Sequence, residues 1–438
     1  MKKLVNSLLT ILLFFSLLIS TKAVTLEEIE LINLKSNFAS VTEVFNDEVK
    51  VLYQKNANAK MYPASLTKIL TTYTGILYGP DMNTPVTIEY SDVAGLIEAD
   101  ASVAGLQVGQ VVTFKDLLYG SMLPSGADAS NAIARVISGD LESYVELMNK
   151  TAKEIGLTNS HFVNTTGLFD EDHYSSANDI NILTRTALKN DTFKEIFSAL
   201  HYNAAPTQAN PNGIDLSSTL LLYAQNDVSR IGYIMGGKTG WVPESGYCLS
   251  SYADFHGRSY AVVTCDAFEP GDQLEDHNLF YKFLFENKHT VTVLNENQEL
   301  GKVELVYQDK PKHYVINNQD EVTLELPIVI DYNDLDSTNE FIKSIETPVE
   351  KGTEIGTYKI NLADETIYEA NFKFEEDIER NNFIYYFAMI TNYFKSPAFI
   401  ELLILIVVIL LILFLGLMLL TRSRAKRNRK GPRKGYRL

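Results

Sequence analysis

Cysteine is nearly missing from this chain of 438 residues: there are two, Cys248 and Cys265. So few exclude a disulfide-built scaffold. Histidine is scarce as well. None of the seven (161, 173, 201, 256, 277, 289, 313) belongs to a His-Glu-x-x-His run or to a compact His/Asp cluster, so no metal and no cofactor is expected. His173, beside Asp170, Glu171 and Asp172, reads as a polar loop residue. There is no Gly-x-Ser-x-Gly elbow, which argues against an α/β-hydrolase. Basic residues are outnumbered, 38 Lys/Arg against 55 Asp/Glu, for a formal charge of −17. What is present is 46% hydrophobic and 21% charged, the composition of a folded chain rather than a disordered one. The length allows two or three domains.

The charge is unevenly distributed. Residues 1–23 hold Lys2 and Lys3, an apolar run from Leu8 to Ile19, and Thr21-Lys22-Ala23. This is the pattern of a secretory signal peptide cut after Ala23; a retained anchor is the alternative, although the run is short for a span. Leu402 to Leu420 is 19 residues without a charge, about 28 Å as a helix. Nine Lys/Arg and no acid follow between Arg422 and Arg437, so 402–420 reads as a transmembrane helix and 421–438 as a basic cytoplasmic tail. The juxtamembrane segment 383–400 is rich in aromatics, suited to the membrane interface or to packing on the ectodomain. Setting aside the nine tail bases with Lys2, Lys3 and Lys22 leaves 26 bases against all 55 acids, or −29. An ectodomain of that charge repels phosphates, so no nucleic-acid partner is expected.

Within the ectodomain the periodicities predict helices beside an antiparallel sheet, over residues 24–288. Val49–Tyr53 reads as a strand, and Ser65–Tyr78, Phe114–Met122 and Ala127–Ile137 as helices. Ser176 and Asp179 form a capping box ahead of a helix reaching Leu188. Tyr233–Lys238 reads as a strand that ends in a Gly-rich turn, Tyr247–Ala253 and Arg258–Asp266 as a hairpin turning at His256-Gly257, and Leu279–Lys288 as a closing helix. The two cysteines are symmetric about that hairpin turn; buried free thiols are expected, with a disulfide the alternative. From His289 the period changes to two, which predicts a small β domain over 289–376.

Three short motifs carry chemistry. In Ser65-Leu66-Thr67-Lys68 the hydroxyl and the amine are one helical turn apart, so the lysine can activate the serine if burial depresses its pKa. The backbone N–H of Ser65 at a helix start suits an oxyanion. Lys238-Thr239-Gly240 after a strand offers a cation, a hydroxyl and an open edge to a peptide carboxylate, or is an ordinary turn. Ser125-Gly126-Ala127-Asp128 offers a second hydroxyl between two helices, or a helix cap.

Taken together, in this order, the motifs resemble the set of penicillin-binding proteins and β-lactamases. Tyr62-Pro63-Ala64-Ser65, Gly105–Gly109, Asp116–Gly120, His173–Asp179 and Gly246–Leu249 extend the likeness, so the chain resembles the low-molecular-mass penicillin-binding proteins, the serine-type D-alanyl-D-alanine carboxypeptidases. The resemblance implies an α+β fold, in which a β-lactamase-like transpeptidase domain precedes an accessory β domain and a transmembrane helix. It implies Ser65 as nucleophile, Lys68 as base and Ser125 as proton relay. Lys238, Thr239 and Gly240 then bind the substrate carboxylate, with the Trp241 N–H in the oxyanion hole. Peptidoglycan stem peptides become the substrates and β-lactam antibiotics the inhibitors. One position departs: Ala127 stands where the family has Asn. A weak or non-catalytic wall-binding protein is the competing expectation that this departure raises.

Overall fold

The computed structural model describes residues 28, 29, 32–208 and 210–428. The expected signal peptide, 1–23, and the last ten residues of the basic tail lie outside the described residues. Contacts divide the described chain into two units, one running to Val291 and including Thr323–Asp334, the other holding Thr292–Val322 and everything from Leu335 onward.

The first unit is an antiparallel sheet covered on both faces by helices. Its strands are β1 (Phe38–Phe45), β2 (Glu48–Lys55), β3 (Gly236–Val242), β4 (Gly246–Phe255) and β5 (Arg258–Ala267), in the order β2-β1-β5-β4-β3. β4 and β5 are buried almost throughout rather than in alternation, as expected for strands screened from water on both sides. Successive residues of β4 show the two faces. Ser250 Oγ meets Thr184 Oγ1 at 2.7 Å on the helix Ala177–Ala187. Ser251 Oγ meets His277 Nδ1 at 2.6 Å on the helix Asp272–Glu286. Alternation along a strand sends neighbours to opposite sides.

The hairpin turns at His256-Gly257, with Phe255 opposite Arg258. A bulge between Tyr247 and Leu249 breaks the symmetric register, and both cysteines are buried and free. Two expectations shift. The closing helix begins at Asp272, seven residues before the predicted Leu279, because its first turns are polar. Two of those polar groups are nevertheless buried and partnered: Asp276 accepts from the backbone N–H groups of Lys35 and Ser36, and His277 bridges Ser251 and Thr264. Apolar periodicity is blind to such a face. The glycines 236 and 237 lie inside β3 and make no turn. A Cβ on Gly236 would stand 2.6 Å from the Phe197 carbonyl oxygen, and one on Gly237 would stand 2.9 Å from that of Ser250. Here glycine permits close packing of a strand.

The remaining helices are α1 (Thr67–Tyr78), α2 (Phe114–Met122), α3 (Ala127–Ser138) and α4 (Leu141–Glu154). They share a core with Ile69, Leu70, Leu118, Ile133 and Tyr144 at its centre. α1 is nearly buried all round, so it is a central helix with no wet face. Ser176 caps its helix by accepting from the Asp179 N–H at 3.1 Å. Asp179 does not return the bond; its carboxylate takes the Asn159 N–H and the Ser160 hydroxyl, each at 2.7 Å.

The second unit contains two small sheets. One orders Leu335–Phe341, Glu354–Leu362 and Glu365–Lys373; the other orders His313–Asn317, Glu299–Val306 and Ser344–Glu346. Val303, Leu305, Ile316, Ile355 and Phe374 form its core. Two helices follow, Asn382–Lys395 and Pro397–Asn428. The stretch Pro397–Arg424 is long and apolar enough to cross a membrane, and none of it is buried.

Candidate active site

Ser65 lies in a single 3-10 turn, Ala64–Leu66, that leads into α1. Ala64 adopts φ +47°, a left-handed alanine of the kind that stores strain beside reacting groups. Two glycines let neighbouring segments close on this turn. Gly167 has φ +81°, and a Cβ there would stand 1.8 Å from the Ala64 carbonyl oxygen. A Cβ on Gly240 would stand 3.1 Å from both the Pro63 oxygen and the Ser65 nitrogen. Gly240 therefore brings the edge strand β3 against the turn itself.

Lys68 is 2% exposed. Its Nζ is 3.1 Å from Ser65 Oγ and donates to the Thr166 carbonyl at 2.6 Å. Burial lowers its pKa from 10.5 to about 7, against an opposing pull from Asp128. The amine is thus held between a hydroxyl and a carbonyl, and burial favours its unprotonated form far more than in a free lysine. Asp128, buried at the start of α3, accepts from the backbone N–H groups of Ala104, Gly105 and Leu106 at 2.7–3.0 Å. That bond set ties the Gly105–Gly109 segment to the Ser125 motif.

Ser125 has φ +63°, and its buried Oγ has no hydrogen-bond partner among the described residues. It lines a cavity of about 410 Å³ together with Ser65, Lys68, Thr166, Thr239 and Gly240. Trp241 and Ala127 line the same cavity. Thr239 Oγ1 is 2.6 Å from Thr219 Oγ1. Lys238 is not among the lining residues. It is fully buried on the strand face shared with Gly240, and its Nζ donates to the Thr239 carbonyl at 2.8 Å. Burial, reinforced by the charge of Lys68, drives its pKa well below 10.5.

Several residues at this site carry no sequence signal. Thr166 acts through its carbonyl, which any residue type possesses. Thr219 is one threonine among many until the fold sets it beside Thr239. His173 is no loop ornament. It is 2% exposed; Nδ1 accepts from the Val163 N–H at 3.1 Å, which leaves the proton on Nε2 to meet Thr67 Oγ1 at 2.7 Å. Burial pushes its pKa down to about 4, so a neutral imidazole braces the residue ahead of Lys68. No group of three or more His, Cys, Asp and Glu suited to a metal occurs among the described residues.

A hydroxyl, a depressed amine and a glycine-opened sheet edge around one cavity is the geometry of an acyl-transferring serine peptidase. A family model described as peptidase S11, D-alanyl-D-alanine carboxypeptidase, matches residues 33–269, more than half of the chain. The chain belongs to the S11 D-alanyl-D-alanine carboxypeptidases. A second model, the C-terminal domain of penicillin-binding protein 5, matches residues 289–380. The carboxypeptidase DacF of Bacillus subtilis is 31% identical over 79% of this chain and 87% of its own length. DacA of Haemophilus influenzae is 27% identical over 75% and 82%. Among solved structures, the Streptomyces K15 DD-transpeptidase superposes with a TM-score of 0.52 at 27% identity, covering 57% of this chain and 98% of that one. Penicillin binding protein 5 from H. influenzae matches the fold with a TM-score of 0.52 at 24% identity, over 80% and 99%. This S11 chain is therefore an enzyme of peptidoglycan metabolism with the α+β transpeptidase fold and an appended β domain.

Proposed function

We propose that Ser65 is the nucleophile of a membrane-anchored carboxypeptidase that trims the terminal D-alanine from peptidoglycan stem peptides. The Ser65 hydroxyl loses its proton to the Lys68 amine as Oγ bonds to the carbonyl carbon of the penultimate D-alanine. The tetrahedral oxyanion is met by the N–H groups of Ser65 and Trp241. The C–N bond breaks, the leaving D-alanine takes a proton through Ser125, and an ester to Ser65 remains. Water deprotonated by Lys68 cleaves that ester. Thr239, with Lys238 behind it, holds the terminal carboxylate, and the substrate backbone adds along the edge of β3. β-Lactams acylate the same oxygen.

The contact of Lys68 with both Ser65 and Thr166 carries this reading. It also bears on Ala127. The amine is positioned by a backbone carbonyl, so the missing amide does not leave it unheld, and this weighs against a purely wall-binding role. Residues 1–23 direct export, 24–288 carry the chemistry outside the cell, and 289–376 form the accessory domain. The juxtamembrane segment 383–400 leads into the transmembrane helix 402–420, and 421–438 stay in the cytoplasm.

The test is labelling with a fluorescent penicillin. The wild-type chain gives a covalent band and releases D-alanine from a pentapeptide ending in D-Ala-D-Ala; Ser65→Ala does neither. Equal labelling of both proteins removes Ser65 from this role.

A further inference from the structure

One carboxylate at the cavity has no part in acyl transfer. Among the described residues, Asp100 is the only acidic side chain lining it, and it is exposed. No hydrogen bond or ion pair engages its carboxylate among the described residues. A residue that both lines a cavity and meets solvent stands on its rim. Five others do the same: Ala99, Ser102 and Pro243, with Leu222 at 68% and Trp241 at 46% exposure as the large apolar members. The Trp241 ring stacks on Tyr247 with centroids 5.9 Å apart, and Tyr247 meets Tyr223 edge-on, so the apolar part of the rim is stiff. The Asp100 segment is tied down as well. The Asp100 N–H donates to Ile97 at 3.1 Å, that of Ala101 to Leu96 at 2.9 Å, and the Ala127 N–H to Ser102 at 2.8 Å. A single carboxylate on the rim of a cavity that also carries large apolar side chains there matches a ligand group with an aliphatic stem and a cationic end.

We infer that Asp100 is a specificity-determining residue, selecting peptides whose residue just ahead of the scissile D-Ala-D-Ala pair has an aliphatic side chain ending in an ammonium. The inference rests on the carboxypeptidase reading. With the terminal pair inside the cavity, the preceding residue leaves through the rim. Its ammonium pairs with Asp100 while its methylenes cover Leu222 and Trp241. Since the ectodomain as a whole attracts cations, the local claim needs a charge control. Glu98 is exposed and is not among the lining residues.

The experiment compares D-alanine release from acetylated Lys-D-Ala-D-Ala and from its uncharged analogue with norleucine, using the detergent-solubilised full chain. The wild type favours the lysine peptide in kcat/KM by about two- to five-fold, the worth of a rim ion pair, and added salt shrinks the ratio. Asp100→Asn brings the ratio to about one and Asp100→Lys takes it below one, whereas Glu98→Gln leaves it in place. Leu222→Ala lowers both rates together. No preference in the wild type, a ratio that survives Asp100→Asn, or an equal fall of the ratio in Glu98→Gln overturns the inference. If the wild type cleaves neither peptide while matching Ser65→Ala, the carboxypeptidase reading itself has failed.

Discussion

At the scale of the residue, the unusual group is a lysine kept in a dry place. Between about pH 7 and 10.5 the unfolded chain holds a proton on Lys68 that the folded chain has largely released. Folding stability therefore rises with pH across that window, and the full penalty stands below it. Lys68→Met removes the penalty. It is expected to stabilise the protein by about 2 kcal/mol at pH 6, because the lost contact with the Thr166 carbonyl offsets part of the gain. The difference between the two melting curves should fade toward pH 10; a difference that does not change with pH contradicts a depressed lysine. Catalysis has the opposite interest. The acylation rate of the wild type should climb roughly tenfold per unit below pH 7 and level off above about pH 8, as followed by penicillin labelling over short times.

At the scale of the element, the site is an assembly of close approaches. Gly167 and Gly139 both have positive φ, +81° and +86°. Around Gly139 a Cβ meets nothing within 4 Å, whereas at Gly167 it collides with the turn that carries Ser65. Gly139→Ala should cost about 1 kcal/mol from backbone strain and leave labelling intact. Gly167→Ala should cost more than about 2 kcal/mol and slow acylation at least tenfold, since the Ser65 turn has to move. Similar effects from the two substitutions, in denaturation and in labelling, would show that the contact is unimportant.

The loops depend on partners in the same way. Arg258, at the start of β5, is 8% exposed at its side chain and bonds Glu43 of β1 at 2.6 Å and also Asp334. Asp334 ends the segment Thr323–Asp334 that groups with the first unit. Arg258→Met strands two buried carboxylates and should cost roughly 3–5 kcal/mol in urea unfolding.

At the scale of the whole molecule, the acidic chain before residue 402 and the nine bases after residue 421 flank one helix that is long and apolar enough to cross a membrane. A chain ended at Arg380 should partition into the aqueous phase of a detergent separation and still bind penicillin, because the helix Pro397–Asn428 lies beyond the cavity-lining residues. Retention in the detergent phase would mean that another surface holds the membrane. The aromatic helix Asn382–Lys395 leaves Phe383, Phe387 and Tyr393 exposed, while Tyr385 packs edge-on against Tyr307.

What the amino-acid order determined alone were the properties written in nearest neighbours and short periods. The one-turn spacing of Ser65 and Lys68, the helix Phe114–Met122, the His256-Gly257 hairpin, the two-residue alternation after His289 and the uncharged run 402–420 are all local patterns, and local patterns survive being read in one dimension. Only the tertiary structure decided which backbone carbonyl steadies the amine, why Gly240 and Gly167 are glycines, that His173 is a buried brace, and that Lys238 lies behind the cavity lining. Those facts depend on segments about 100 to 170 residues apart meeting within a few ångströms. Burial, which depresses the lysine, is a property of the packed whole that no stretch of the chain possesses on its own.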